Sequence, residues 1–301
     1  MPEFKIETHG IGTHWWISIF DEISDKFKLE IEEIINSKIT EFDNNYSRFK
    51  NDSFVGKLNK SKTLANFTNE FYEMMKFARK IHAESEGFFN IGIGKILENI
   101  GYDSSYSFVE KENPGTITLA DPIIALNKER IEIEKDARID LGGFGKGWLI
   151  NKLEKILKNT GLKYFYINAG GDIYCTSDNN EPQEFLLESP FEQNQSIGKI
   201  LIKNSAIASS GKYKRQWQDK KTGKVHNHLV PILDLNEVKE IAAVFTYGEN
   251  SLITDYVSTL FFISPIKIAE KISKKRNVEY LIVLNDGKYF KSKGYPGMLN
   301  T

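Results

Sequence analysis

The sequence predicts an α+β fold of mixed sheets with packed helices in one compact chain, and three observations predict it. Strand-like and helix-like segments both recur along the 301 residues. They follow one another without the strict βαβ alternation of a doubly wound sheet. The composition, 40% hydrophobic with 12% aromatic residues, is ample for a packed core. The length allows one large domain or two subdomains; with no repeat and no low-complexity linker, residues 1–301 are read as one domain.

Residues 12–20, GTHWWISIF, alternate and are rich in β-formers, so they read as a first strand. Residues 25–49 carry Phe27, Leu29, Ile31, Ile34, Ile35 and Ile39 at roughly helical spacing, and NDSFVGKLNKS, 51–61, reads as a loop. A second helix starts at Thr68 or Asn69, carries Phe71, Met74, Met75 and Ala78 on one face, and stops at Gly87. Between 115 and 140, short alternating runs broken by Pro122 and Asn127-Lys128 have the pattern of paired strands. Residues 146–161 place Trp148, Leu149, Leu153, Ile156 and Leu157 on one stripe, end at Gly161 and lead into the buried strand KYFYIN. Segments 197–210 and 239–248 read as strands, 250–263 as a helix capped by Asn250, 266–276 as another helix and 279–285 as a strand.

Lys and Arg total 40 against 41 Asp and Glu, so no global field gathers nucleic acid or an anionic membrane. No apolar run is long enough to span a bilayer. The single Cys175 excludes an internal disulfide and cysteine-based zinc or iron–sulfur sites. The N-terminus lacks a basic start, an apolar run and a cleavage site, which places the chain in the cytoplasm as the sequence stands, or outside it if a leader was removed.

Residues 138–174 concentrate seven glycines. In DLGGFGKGW a strand, glycines and a helix start follow one another, an arrangement in which backbone N–H groups and the helix dipole collect an anion, and Lys146 adds a positive charge. The spacing matches neither a P-loop nor the dinucleotide fingerprint, and a plain tight turn is the alternative. NAGGDIY puts Asp172 at a turn. Asp255 and Thr259 share a face of an apolar helix, a carboxylate and a hydroxyl suited to a hard cation such as Mg²⁺; the plainer alternative is a solvent-facing Asp and a Thr bonded back to its own helix. His226 and His228 share a strand face without a third metal ligand nearby, and His228 suits a positioning or proton-transfer role.

Eight motifs in order, GxGTxW, YSRFKNDSFVGKLN, EGFFNIGIGKI, IDLGGFGKGWLINKLEKIL, INAGGDI, AIASSGKYKRQW, HNHLVP and SLITDYVSTLF, resemble the ApbE family, the FAD:protein FMN transferases, over residues 11–285. The resemblance implies an ApbE-like fold and Mg²⁺-dependent transfer of FMN from FAD to a Thr or Ser hydroxyl of an acceptor protein, releasing AMP. It assigns the metal to the Gly143 carbonyl, Asp255 and Thr259. It assigns FAD to Phe88, Phe89, Asn90, Asp140 and Lys146. On physical grounds Lys146 also supports catalysis by its charge at the turn, and His228 and Asp255 are the two candidates for a base that the resemblance does not identify. Two departures stand out: Asn90 replaces the family's usual Asp, and HLVPILDL, 228–235, replaces its H-I-x-D-P-x-T-G. An FAD pyrophosphatase and a non-catalytic flavin-binding protein are the alternatives.

Overall fold

The computed structural model describes residues 3–300 apart from 112–114, 116, 178–180, 214 and 234. Strands β1 (Phe4–Gly10) and β2 (Thr13–Ile19) form a hairpin whose two turn residues, Ile11 and Gly12, both have positive φ. This is the turn whose twist matches that of the flanking strands. Helix α1 (Asp25–Tyr46) is capped by the Ser24 hydroxyl, which accepts the Phe27 N–H, and buries Ile31, Ile35, Ile39, Phe42 and Tyr46. Leu29, placed on that face from its spacing, is 70% exposed.

The 51–61 segment is a correction: α2 (Phe54–Ser61) occupies it, nucleated by Ser53, whose hydroxyl accepts the Gly56 N–H at 2.8 Å. The cap was present in the sequence, but a helix of two turns shows too little periodicity to be recognised. After β3 (Thr63–Leu64), α3 (Asn69–Glu84) has Thr68 as its cap and buries Phe71, Met74, Met75 and Ala78. Helix α4 (Gly94–Asn99) follows, then β4 (Ile123–Leu126) and β5 (Ile131–Ile133), which form a small sheet with β3. The paired strands expected over 115–140 thus fill only part of that range, and Thr116 lies outside the described residues.

Next come α5 (Gly145–Asn159), β6 (Phe165–Ala169), β7 (Asp172–Thr176), β8 (Gln183–Glu188), β9 (Ser196–Ile202), β10 (Ser205–Gly211), β11 (Gln216–Gln218) and β12 (Val225–Asn227). The chain ends through α6 (Asn236–Lys239), β13 (Ile241–Gly248), α7 (Ser251–Ile263), α8 (Ile266–Lys275), β14 (Glu279–Leu284), β15 (Tyr289–Lys291) and β16 (Met298–Leu299).

The main sheet has eight strands in the order β1-β2-β6-β7-β10-β13-β14-β15, and every neighbouring pair is antiparallel. Its central strands are buried on both faces, because successive side chains point to opposite sides. Tyr174, Val244 and Ile282 join the helix-side core with α1, α5 and α7, while Ile173, Cys175, Phe245 and Leu281 pack against Leu187, Ile200 and Ile202 of the smaller β16-β9-β8 sheet. Among the described residues, no helix is long and apolar enough to cross a membrane.

Candidate functional site

The β1–β2 turn, the segment after α3, the turn before α5, the β6–β7 turn, β10 and α7 line one cavity of about 1300 Å³. All the residues assigned above to cofactor, metal or catalysis lie on its wall, although they come from distant parts of the chain.

Two of the glycines before and within α5, Gly143 and Gly147, serve close approach. None of Gly142, Gly143, Gly145 and Gly147 has a positive φ. A Cβ on Gly143 would come within 2.7 Å of the Phe89 ring and 3.5 Å of Thr259 Cγ2. A Cβ on Gly147 would lie 2.4 Å from the Ser251 carbonyl oxygen and 2.8 Å from Asp255 Cβ, so this glycine lets α5 lie directly on α7. In the β6–β7 turn, by contrast, Gly170 and Gly171 do have positive φ, between the paired Ala169 and Asp172.

That helix contact orients the Asp255 carboxylate. Asp255 is buried, and its Oδ2 accepts the Gly147 N–H at 2.8 Å, so a carboxylate from α7 satisfies one of the unpaired donors at the start of α5. Thr259, one turn further along α7, also faces the cavity, and its hydroxyl has no hydrogen-bond partner among the described residues. The neighbouring Ser258 is the one that bonds back, to the Asp255 carbonyl at 3.0 Å. The structure therefore replaces the plainer reading of this pair, a solvent-facing Asp and a back-bonded Thr, with a buried carboxylate and an available hydroxyl.

Lys146 does not stand at the turn as an unmatched charge. Its ammonium pairs with Asp172 and lies 3.6 Å from Asp255 Oδ1. Burial opposes its charge, but the two carboxylates outweigh burial and hold its pKa above the usual value. Burial also pushes the Asp255 carboxyl up, with Asp172 adding to the effect and Lys146 and the Gly147 N–H opposing it. Asp172, read from its neighbours as a turn residue, is buried beneath the site, where Oδ1 accepts the Ser209 N–H at 3.0 Å. No local signal marks it, since Lys146 precedes it by a helix and a strand.

Two of the assigned cofactor contacts are committed to the protein itself. Asp140 accepts from Arg48 Nε at 2.5 Å and from the Gly142 N–H at 2.7 Å. Arg48, buried in the YSRF motif and passed over in the sequence, also donates to the Tyr102 carbonyl at 2.7 Å. Asn90 donates to the carbonyls of Thr118 and Ala120, both at 3.0 Å, and accepts the Gly92 N–H at 2.8 Å. The amide thus ties the 88–92 turn to the 118–120 segment, with its carbonyl oxygen already accepting one backbone N–H. Phe89 packs edge-on against Tyr256, while Phe88 lines the cavity beside it. Asn90→Asp is expected to lower stability by about 1–3 kcal/mol at neutral pH, because a carboxylate would replace two donors facing carbonyl oxygens. Thermal unfolding of the two proteins checks this, and equal stability would remove the tie.

The histidines separate. His226 contacts Glu110 at 3.1 Å and stacks on Trp217. His228 lies on the cavity wall with Nδ1 3.3 Å from the Arg215 carbonyl. A carbonyl only accepts, so this contact places the proton on Nδ1 and leaves the Nε2 lone pair available. Burial and the Arg215 charge lower the His228 pKa to about 4, so the ring is neutral at physiological pH. Beyond His228, the divergent segment contributes Leu229, Val230 and Ile232 to the wall; its Asp234 lies outside the described residues.

The ApbE family model matches residues 11–282. The chain belongs to the ApbE family. A relative from Buchnera aphidicola subsp. Schizaphis graminum, named FAD:protein FMN transferase, is 24% identical over 95% of this chain and 87% of its own. A protein of the same name from Escherichia coli K12 is 21% identical over 95% of this chain and 86% of its own. Among solved structures, the ApbE protein of Thermotoga maritima is similar at a TM-score of 0.84, covering 97% of each chain at 20% identity. The apo flavinyl transferase ApbE of Pseudomonas stutzeri is similar at 0.78, covering 97% of this chain and 95% of its own at 14% identity. These likenesses show that the α+β architecture is the ApbE fold.

Within that ApbE cavity the donor set suits a hard cation. Asp255 supplies a buried carboxylate whose charge is disfavoured as it stands, Thr259 supplies an unbonded hydroxyl, and Gly143, on the same cavity wall, is packed close against Thr259 and Phe89. Among the described residues there is no cluster of three or more His, Cys, Asp or Glu that could hold a metal, so the candidate donor set is the mixed one of a carboxylate, a hydroxyl and a backbone carbonyl.

Proposed function

We propose that this protein transfers FMN from FAD to a Thr or Ser hydroxyl of an acceptor protein, with Mg²⁺ held by Asp255, Thr259 and the Gly143 carbonyl. The observation that carries the reading is the convergence of Asp255, Thr259 and the α5 N-terminus on a cavity larger than the roughly 300–1,000 Å³ of an ordinary small-molecule site. FAD:protein FMN transferase is also the name of the relatives, which supports the same reading.

When bound, Mg²⁺ supplies charge neutralisation at the diphosphate. The acceptor oxygen forms a bond to the FMN phosphorus, the phosphorus–oxygen bond to AMP breaks, and AMP leaves with that bond's electrons. The hydroxyl proton has to be taken up, and His228 offers a neutral Nε2 for it, its ring oriented by the Arg215 carbonyl. Asp255 is less suited to that role, because Oδ2 is already held by the Gly147 N–H and its charge is the proposed metal ligand. Lys146 keeps Asp255 and Asp172 in place and offsets their repulsion.

Incubating the protein with FAD and Mg²⁺, with and without a candidate acceptor, tests the reading. Protein-bound FMN and AMP are expected. Free FMN and AMP would identify a pyrophosphatase, and unchanged FAD a binding protein. His228→Ala is expected to slow transfer by about 10²–10⁴-fold with little effect on FAD affinity, the range typical of a lost general base. Unchanged transfer would exclude His228 from proton uptake.

A further inference from the structure

The cavity holds a cation that neither the motifs nor the pairing described so far explains. Arg48 is matched by Asp140, Lys50 by Asp43, and Lys146 by Asp172 and Asp255. Arg215 lines the same cavity, yet among the described residues no carboxylate pairs with it. Its polar side-chain contact is Nη2 to the Gly12 carbonyl at 3.0 Å. A guanidinium has five N–H donors in a planar fork that fits phosphate oxygens in pairs, so one bond to a carbonyl leaves most of that capacity unused.

The placement is equally specific. The Arg215 carbonyl orients His228, while its side chain reaches the β1–β2 turn, where Ile11 has a φ of 46°, uncommon for a β-branched residue. Arg215 thus joins the turn and the imidazole along one wall. Its positive charge is felt at both His228 and Lys146, which puts it within electrostatic reach of the α5 N-terminus.

We propose that Arg215 grips the diphosphate of the bound dinucleotide and positions it between His228 and the start of α5. A dianionic bridge entering this cavity meets lysine and arginine charges already matched by carboxylates; among the described residues, Arg215 is the cavity-lining one left to match it, and its fork sets the orientation of the phosphates. The assignment rests on the flavin-transfer reading above.

The test is equilibrium binding of FAD to the parent, Arg215→Met and Arg215→Lys proteins over a range of KCl concentrations at fixed Mg²⁺, with thermal unfolding of each as a control. Arg215→Met is expected to weaken FAD at least tenfold and to flatten the dependence of affinity on salt, since an ionic contact has been removed. Arg215→Lys, which keeps the charge without the fork, is expected to fall between the two, and it carries the test if the Met variant does not fold. FAD affinity within twofold of the parent in a folded variant overturns the proposal. So does weaker binding with an unchanged salt dependence, which would mean that Arg215 only fastens the β1–β2 turn. A parent protein that binds no FAD overturns the flavin reading itself, whereas a parent that binds FAD beside variants that bind equally well removes Arg215 alone.

Discussion

Asp255→Asn is expected to abolish Mg²⁺-dependent turnover of FAD, by on the order of a thousandfold or about 4 kcal/mol of transition-state stabilisation, while leaving the fold nearly intact. The two effects separate because the carboxylate has two tasks. Oδ2 accepts the Gly147 N–H, and an amide oxygen can take over that bond. The negative charge is a different matter: an amide cannot supply it, and it is the only full charge among the three proposed metal ligands. Asparagine also removes a buried charge repelled by Asp172, so stability is expected to hold. Alanine would confuse the result by leaving the α5 donor unpaired. The measurement is FAD turnover across a Mg²⁺ titration beside thermal unfolding; full turnover at metal concentrations that saturate the parent would take Asp255 out of the site.

Gly147→Ala is expected to be the most damaging single-methyl change in the site, lowering stability by about 3 kcal/mol. The added carbon would meet the Ser251 carbonyl oxygen at 2.4 Å and both Asp255 Cβ and Leu252 Cα at 2.8 Å. Most of these are backbone atoms of a packed helix, so no side chain can swing aside. Helices α5 and α7 would have to separate, carrying Asp255 away from the Gly147 N–H. Gly145→Ala is the control: the nearest atom to its added carbon is Phe42 Cε1 at 4.0 Å, and the change is expected to be neutral or stabilising by up to about 1 kcal/mol. Equal unfolding temperatures for the two variants would mean that α5 and α7 are not held at this separation.

The same residues show where sequence reading reaches. Elements with a strong period or a cap were legible: Thr68 and Asn250 cap the helices read from them, and Phe71, Met74, Met75 and Ala78 form the buried stripe expected of α3. Short or edge elements were not. The strands β1 and β15 lie at the ends of the main sheet: β1 was passed over although Phe4, Ile6 and Thr8 alternate with exposed residues, β15 is three exposed residues with no inward side to show, and α2 is too brief to show a face. The pairing of Asp255 with Thr259 followed from helix geometry alone. Whether that pair faced solvent or a cavity did not, since the spacing is the same in either case.

By itself the sequence determined the α+β class, the eight ordered motifs and the residue types that could meet a flavin diphosphate, because these depend on local periodicity and on order along the chain. Only the tertiary structure decided what each group does. It put Asp172 beneath Lys146, gave Asp140 to Arg48 and Asn90 to the backbone, left Arg215 without a carboxylate among the described residues, and showed that Gly143 and Gly147 make room for Phe89 and α7 rather than for unusual φ angles. The reason is physical: charge pairing and close packing act through space between segments far apart in the chain, and their energies are set by burial and distances of a few ångströms that no spacing along the chain encodes.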